Sequence, residues 1–182
     1  MLTLLLLSCA SNDADSGVSD STTAVPTELS TIDPDTLPQG DNPCRPPELV
    51  FVYDAIDGDT IHVSSSKGTE SIRLIGVDTP EVGWNGEPSD CYGQEAQAFT
   101  RELLEDKQVW LTFDGSCTDA YDRTLAYVHV GNGDQDFFER QLLRRGYGTA
   151  FPWSGTDTFE DTFADDESQA MSEGAGLWSA CN

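Results

Sequence analysis

From residue 49 onward the chain keeps two hydrophobic periods in turn. Residues 49–53 are dense in β-prone side chains (Leu49, Val50, Phe51, Val52, Tyr53), and residues 60–63 follow across the turn Asp57, Gly58, Asp59. That pairing predicts a hairpin. A second turn over 64–68 leads to a third strand over 70–77, which runs into Asp78, Thr79, Pro80 and Glu81. Proline has no N–H for a sheet ladder, so the strand stops there. After an irregular stretch over 82–92 the period changes. Ala96, Phe99 and Leu103 fall on one face of a helix over 94–107. Residues 109–113 alternate again, and 124–130 form a fifth strand closed by Gly131, Asn132 and Gly133. Two further helices are predicted, over 136–145 with a basic end and Gly146 beyond it, and over 158–173 before Gly174. Phe159, Phe163, Ala170 and Met171 would share one side of the last one.

Five strands with a helix between the third and fourth is the order of a small closed barrel. The expected class is α+β, a five-stranded OB-fold-like β-barrel with about three helices. His62 and His129 sit on strand patterns and read as structural residues.

Composition divides the chain. Residues 11–43 are rich in Ser, Thr, Asp and Pro and cannot bury enough apolar surface to offset chain entropy. Residues 9–43 are therefore expected to be a disordered acidic tether, and 44–182 the folded domain. Net charge is −24, and no Lys or Arg precedes Arg45. From there on, nine basic and 26 acidic residues leave −17. That sign opposes nucleic-acid binding by counterion release and speaks against a pure DNA-binding module. It suits solubility or a salty medium.

Setting Cys9 aside leaves four cysteines, no Cys-x-x-Cys pair and two histidines, which disfavours structural zinc. Two disulfides in an exported domain are the better account. Because domain termini tend to lie close together, the expected pairs are Cys44–Cys181 and Cys91–Cys117. The apolar run from Leu2 to Leu7, closing on Ser8, Cys9 and Ala10, is too short to span a bilayer. It resembles the end of a bacterial lipoprotein signal, with residues 1–8 the signal remnant and Cys9 the lipidated residue. An ordinary cleaved signal peptide is the alternative.

The chemistry gathers around the third strand. Arg73 lies inside it, Asp78 and Glu81 follow its end, Asp59 lies in the preceding turn, and Arg123 stands beyond Asp119, Ala120, Tyr121 and Asp122. Carboxylates that can hold a hard cation, with two guanidinium groups that can grip a phosphate, compose a phosphodiesterase site. Taken singly, Asp57 to Asp59 is a common turn, Arg73 an edge-strand charge and Arg123 a surface charge.

Taken together, four motifs in order resemble the staphylococcal nuclease (thermonuclease) family. They are Asp57 to Thr60; Arg73 to Glu81; Tyr92 to Ala96; and Asp119 to Tyr127, with Gly176, Leu177 and Trp178 similar as well. The resemblance covers roughly 48–179. It implies a Ca²⁺-dependent nuclease acting on DNA and RNA. Asp59 and Asp78 would be the metal-binding carboxylates and Thr79 a backbone-carbonyl ligand. Glu81 would activate water, and Arg73 and Arg123 would clamp phosphate, the three catalytic residues. Tyr121 would lie near the 5′-phosphate, and Phe151 and Trp153 would stand in as stacking surfaces for a base. This chain departs from the family pattern at Ala120, where a lysine is usual, at Asp122 for glycine, and at Glu139 for asparagine. The expected protein is a monomer, lipid-anchored through Cys9 to a membrane outside the cytoplasm. A catalytically weak or silent OB-fold binding or assembly module at the cell surface is the alternative.

Overall fold

The computed structural model describes residues 29–152 and 158–181. Its centre is a closed barrel of five strands: β1 (Glu48–Ala55), β2 (Thr60–Ser65), β3 (Gly68–Leu74), β5 (Gln108–Thr112) and β6 (Thr124–His129). The first three form an antiparallel meander, with Val52 opposite Val63 and Ile61 opposite Ile72. The barrel then closes through a parallel pairing of β3 with β6 and antiparallel pairings of β6 with β5 and β5 with β1. Inward side chains of every strand, among them Val52, Ile61, Ile72, Leu111 and Tyr127, are fully buried in one core. The α+β, OB-fold-like architecture read from the sequence is the one observed.

The expected third strand is two. β3 stops at Leu74, and a short β4 (Gly76–Asp78) pairs antiparallel with β7 (Thr149–Phe151) in a separate two-stranded sheet. Gly76 makes the break possible. Its φ is +80°, and a Cβ there would stand 2.3 Å from the Phe163 ring. The break turns Asp78 out of the barrel wall.

Helix α1 (Gly93–Leu104) buries Ala96 and Phe99 as its period predicts, and Leu104 with them. It also holds the β1–β2 turn: Thr100 Oγ1 donates to Gly58 O at 2.8 Å and Gln97 Nε2 to Ile56 O at 2.6 Å. Helix α2 (Phe138–Arg144) is shorter than expected, with a 3₁₀ turn at Asp134–Asp136 before it. Helix α3 (Glu160–Glu173) buries Phe163 and Ala170, but Met171 is 52% exposed rather than part of that face. A last turn, α4 (Leu177–Ala180), ends beside Cys181. Among the described residues no helix is long and apolar enough to cross a membrane.

Two expectations are corrected. Residues 29–43 are not a free tether but a strap along β5. Ile32 and Leu37 are buried, Trp110 Nε1 donates to Leu29 O at 2.8 Å, and Thr112 Oγ1 donates to Pro38 O at 2.7 Å. Two scattered apolar side chains suffice because β5 supplies side-chain donors to backbone carbonyls that would otherwise face water. Residues 1–28, including Cys9 and the signal-like run, lie outside the described residues. The disulfides are Cys44–Cys117 and Cys91–Cys181, with Cα separations of 5.6 and 5.8 Å, not Cys44–Cys181 and Cys91–Cys117. The strap explains the first pair. Cys44 N donates to Asp114 O at 2.9 Å, which places Cys44 beside the β5–β6 loop and therefore beside Cys117. The second follows because α4 docks where α1 begins, far from the start of β1.

Candidate active site

Asp59 is the buried anchor. The turn before it is set by Asp57, whose Oδ1 accepts the Asp59 N–H at 3.0 Å, so Asp57 is a turn residue as expected. Asp59 Oδ2 then accepts both the backbone N–H (2.7 Å) and the hydroxyl (3.0 Å) of Thr79, tying the β1–β2 turn to the chain leaving β4. Gly58 permits this approach, since a Cβ there would lie 2.7 Å from the Thr79 side chain.

Arg73 joins the two carboxylates. Its Nε stands 3.2 Å from Asp59 Oδ1, and Nη2 donates to Asp78 Oδ1 at 2.7 Å. Nη1 donates to the carbonyls of Leu74 (2.8 Å) and Val77 (2.7 Å), one on each side of the β3–β4 break. The guanidinium is thus buried and fixed in one orientation by four oxygens. Asp78, in contrast, leaves half its side-chain surface in solvent. It stands at the mouth of a cleft of about 450 Å³ lined also by Thr79, Glu81, Asp90 and Thr149.

Glu81 is exposed on the same cleft, and its electrostatics gather the remaining groups. Partial burial raises its pKa above the ordinary carboxylate value, with the charges of Asp59 and Asp78 adding to the rise and those of Arg73 and Arg123 opposing it. Five charged side chains from three loops and two strands therefore share one field. Asp59 is pushed up to about 6, first by burial, with Arg73 pulling down and Asp57 pushing up. A carboxylate this reluctant to ionise is relieved by a cation.

Arg123 approaches from the β5–β6 loop. Asp119 Oδ1 accepts the backbone N–H groups of Tyr121 (2.8 Å) and Arg123 (3.0 Å), and its Oδ2 accepts Arg123 Nε at 2.7 Å. The guanidinium carbon lies 5.5 Å from the ring centroid of Tyr121, itself 80% exposed. The bridge Cys44–Cys117 anchors this loop at its start.

The donor set suits a hard cation. It comprises two carboxylates, Asp59 and Asp78, and the carbonyl of Thr79, with no imidazole or thiolate. Among the described residues no three acidic, histidine or cysteine side chains form a ready cage, so waters and substrate would complete the coordination.

Not every expected residue reaches the cleft. Phe151 pairs with Gly76 on β7 and lines a separate apolar cavity of about 170 Å³ under α3, with Tyr127 and Phe163. Trp153 lies outside the described residues. His129 is buried against Thr112, 2.9 Å between Nε2 and Oγ1, and burial depresses its pKa to about 4. It is structural, as its strand position suggests. Thr149, opposite Asp78 in the β4–β7 ladder, is a site-lining residue that the sequence reading missed. Three residues cannot declare a strand by periodicity.

The sequence comparisons agree with this geometry. The family described as Staphylococcal nuclease homologue matches residues 71–180. The chain is 34% identical over 128 residues to the thermonuclease of Staphylococcus hyicus, covering 70% of this chain and 74% of that protein. It is 34% identical over 131 residues to the thermonuclease of Staphylococcus intermedius, covering 72% and 76%. It is 35% identical over 130 residues to endonuclease YncB of Bacillus subtilis strain 168, covering 69% and 59%.

Proposed function

The chain belongs to the staphylococcal nuclease family, and from that premise we propose that it is a Ca²⁺-dependent endonuclease hydrolysing DNA and RNA with little sequence preference. The observation that carries this reading is the linkage of Asp59 and Asp78 through Arg73, with Asp78, Thr79 and Glu81 lining one open cleft and Glu81 sharing the field of Arg73 and Arg123. A binding module has no use for a general base held between metal-type carboxylates and two guanidinium groups.

Asp59, Asp78 and the Thr79 carbonyl would hold the ion, which supplies positive charge for the phosphate oxygens and holds water near them. The remaining chemistry belongs to the chain. Glu81, exposed on the cleft and raised in pKa, takes the proton from the attacking water. As P–O bond formation builds charge on the equatorial oxygens, Arg123 meets it with guanidinium N–H groups, the side chain being oriented in advance by the bond from its Nε to Asp119. Arg73 would meet it through the Nη2 edge that donates to Asp78, the carboxylate that would also hold the ion. Bond cleavage leaves the departing oxygen to be protonated from solvent at the open side of the cleft.

Two disulfides suit an oxidising compartment, which supports an extracytoplasmic location. Anchoring through a lipid on Cys9 and action as a monomer are parts of the same proposal. The test is digestion of single-stranded and plasmid DNA and of RNA with Ca²⁺ or with chelator. Cleavage in Ca²⁺ that stops in chelator is expected. Nucleic acid bound but uncut in both would favour the silent binding module.

A further inference from the structure

We propose that Trp84 is a stacking platform for a base of the single-stranded substrate next to the scissile phosphate. The proposal rests on the nuclease reading and names how such an acidic enzyme holds its strand.

The charge inventory poses the problem. The chain has nine cations, and each touches a partner within the protein. Seven pair with carboxylates, including Arg45 with Glu70, Arg101 with Asp54, and both Arg140 and Arg144 with Asp166. Lys107 donates to the carbonyls of Glu102 and Leu103, and Arg145 lies over the Phe99 ring. Phosphates along a strand therefore meet little positive charge beyond the clamp at the cleft. Grip on the strand has to come from its bases, every one of which offers a π-face.

The 82–92 loop supplies a face at the right place. It carries Glu87 and Asp90 and no Lys or Arg, so it cannot act as a phosphate binder. It does present Trp84 with 78% of its surface in solvent. Trp84 is three residues beyond Glu81, at most about 11 Å along the chain, within the reach of a neighbouring nucleotide.

The backbone that carries that side chain is closely tied. Asn85 and Gly86 both have positive φ (52° and 92°), and Glu87 N donates to Trp84 O at 3.0 Å, the geometry of a tight two-residue turn. Asp90 N donates to Glu81 O at 2.9 Å, Gly83 N donates to Ser89 Oγ at 3.0 Å, and Cys91 is bridged to Cys181. A large aromatic exposed on a loop tied this closely to the general base costs little to order when a base stacks on it.

The experiment compares the full-length protein with Trp84→Ala and Trp84→Phe on two strands in Ca²⁺. One is a single-stranded oligonucleotide, the other an abasic strand of equal length and charge. Roughly a tenfold lower kcat/KM is expected for Trp84→Ala on the base-bearing strand, carried by KM. Trp84→Phe should recover most of it. Wild type should lose activity on the abasic strand, and Trp84→Ala should add no further loss there. An unchanged kcat/KM on the base-bearing strand, or an equal loss on both strands, would overturn the proposal. If wild type cuts neither strand, the nuclease reading fails, and the stacking proposal is then decided by binding of a fluorescent oligonucleotide. About tenfold weaker binding by Trp84→Ala supports it, and equal binding refutes it.

Discussion

Arg73 and Arg123 both contribute positive charge at Glu81, and the fold treats them differently. Arg73 sits in the barrel wall, 4% exposed, bonded to Asp59, Asp78 and the carbonyls of Leu74 and Val77. Arg123 sits on a loop, partly buried, held by Asp119 and flanked by the exposed Tyr121 and by Asp122 at a positive φ of 62°. The half of the site around Arg73 is thus part of the folding core, and the half around Arg123 is an attachment to it. Substitutions in the first half cannot change chemistry without changing stability. Those in the second half can.

The largest effect follows directly. Arg73→Ala leaves Asp59 buried without its cation and should destabilise the domain by about 3–5 kcal/mol. Arg123→Ala should change stability by less than about 1 kcal/mol, since its pair is partly solvated. Chemical denaturation of both variants measures this, and equal losses would erase the distinction. Activity should separate them the other way. Arg123→Ala keeps its fold and loses about 10² in turnover, and Arg123→Lys recovers little because a point charge cannot reproduce a two-pronged contact.

Glu139 sharpens the barrel side of the comparison, because it is buried there without a cation. Both its oxygens accept the Val128 N–H, at 3.0 and 3.2 Å, and burial raises its pKa well above the ordinary value. Any stability it contributes is present below the unfolded carboxylate value of about 4.5 and is lost as pH rises towards the folded one. Glu139→Gln should therefore gain on wild type in melting temperature as pH increases through that window. A difference independent of pH would mean that the carboxyl does not titrate on unfolding.

The smallest effect belongs to Asp122. A non-glycine residue at positive φ costs of the order of 1 kcal/mol, and its charge stands beside Arg123. Asp122→Gly should stabilise by up to about that amount and raise kcat/KM a few-fold, read in the same denaturation and digestion assays.

Legibility in the sequence follows the same divide. The barrel strands, α1 and the turn at Asp57 to Asp59 are each carried by a local period or a turn signature long enough to read. So are the site residues lying within them. What escaped depends on contacts between distant segments. Gly76 breaks the third strand because Phe163, from α3, presses against it. The strap over residues 29–43 looks disordered because its partners are donors on Trp110 and Thr112 rather than its own apolar residues. The cysteine pairing depended on where that strap lay, so an error in one became an error in the other. That the two arginines differ in burial was equally invisible. Arg73 in an apolar strand reads the same whether it points outward or is buried among carbonyls on either side of a strand break.

Cleavage by Glu81→Gln tests the account most directly, measured in Ca²⁺ beside wild type, with Ca²⁺ affinity and melting temperature followed in the same samples. Glu81 is exposed and makes no buried contact on which the fold depends, so the variant should melt as wild type does and still bind the ion through Asp59 and Asp78. Its cleavage rate should fall by about 10²–10⁴-fold, the range for loss of a general base. A folded, Ca²⁺-binding Glu81→Gln protein that cuts at the wild-type rate would contradict the assignment of the base, and with it the mechanism.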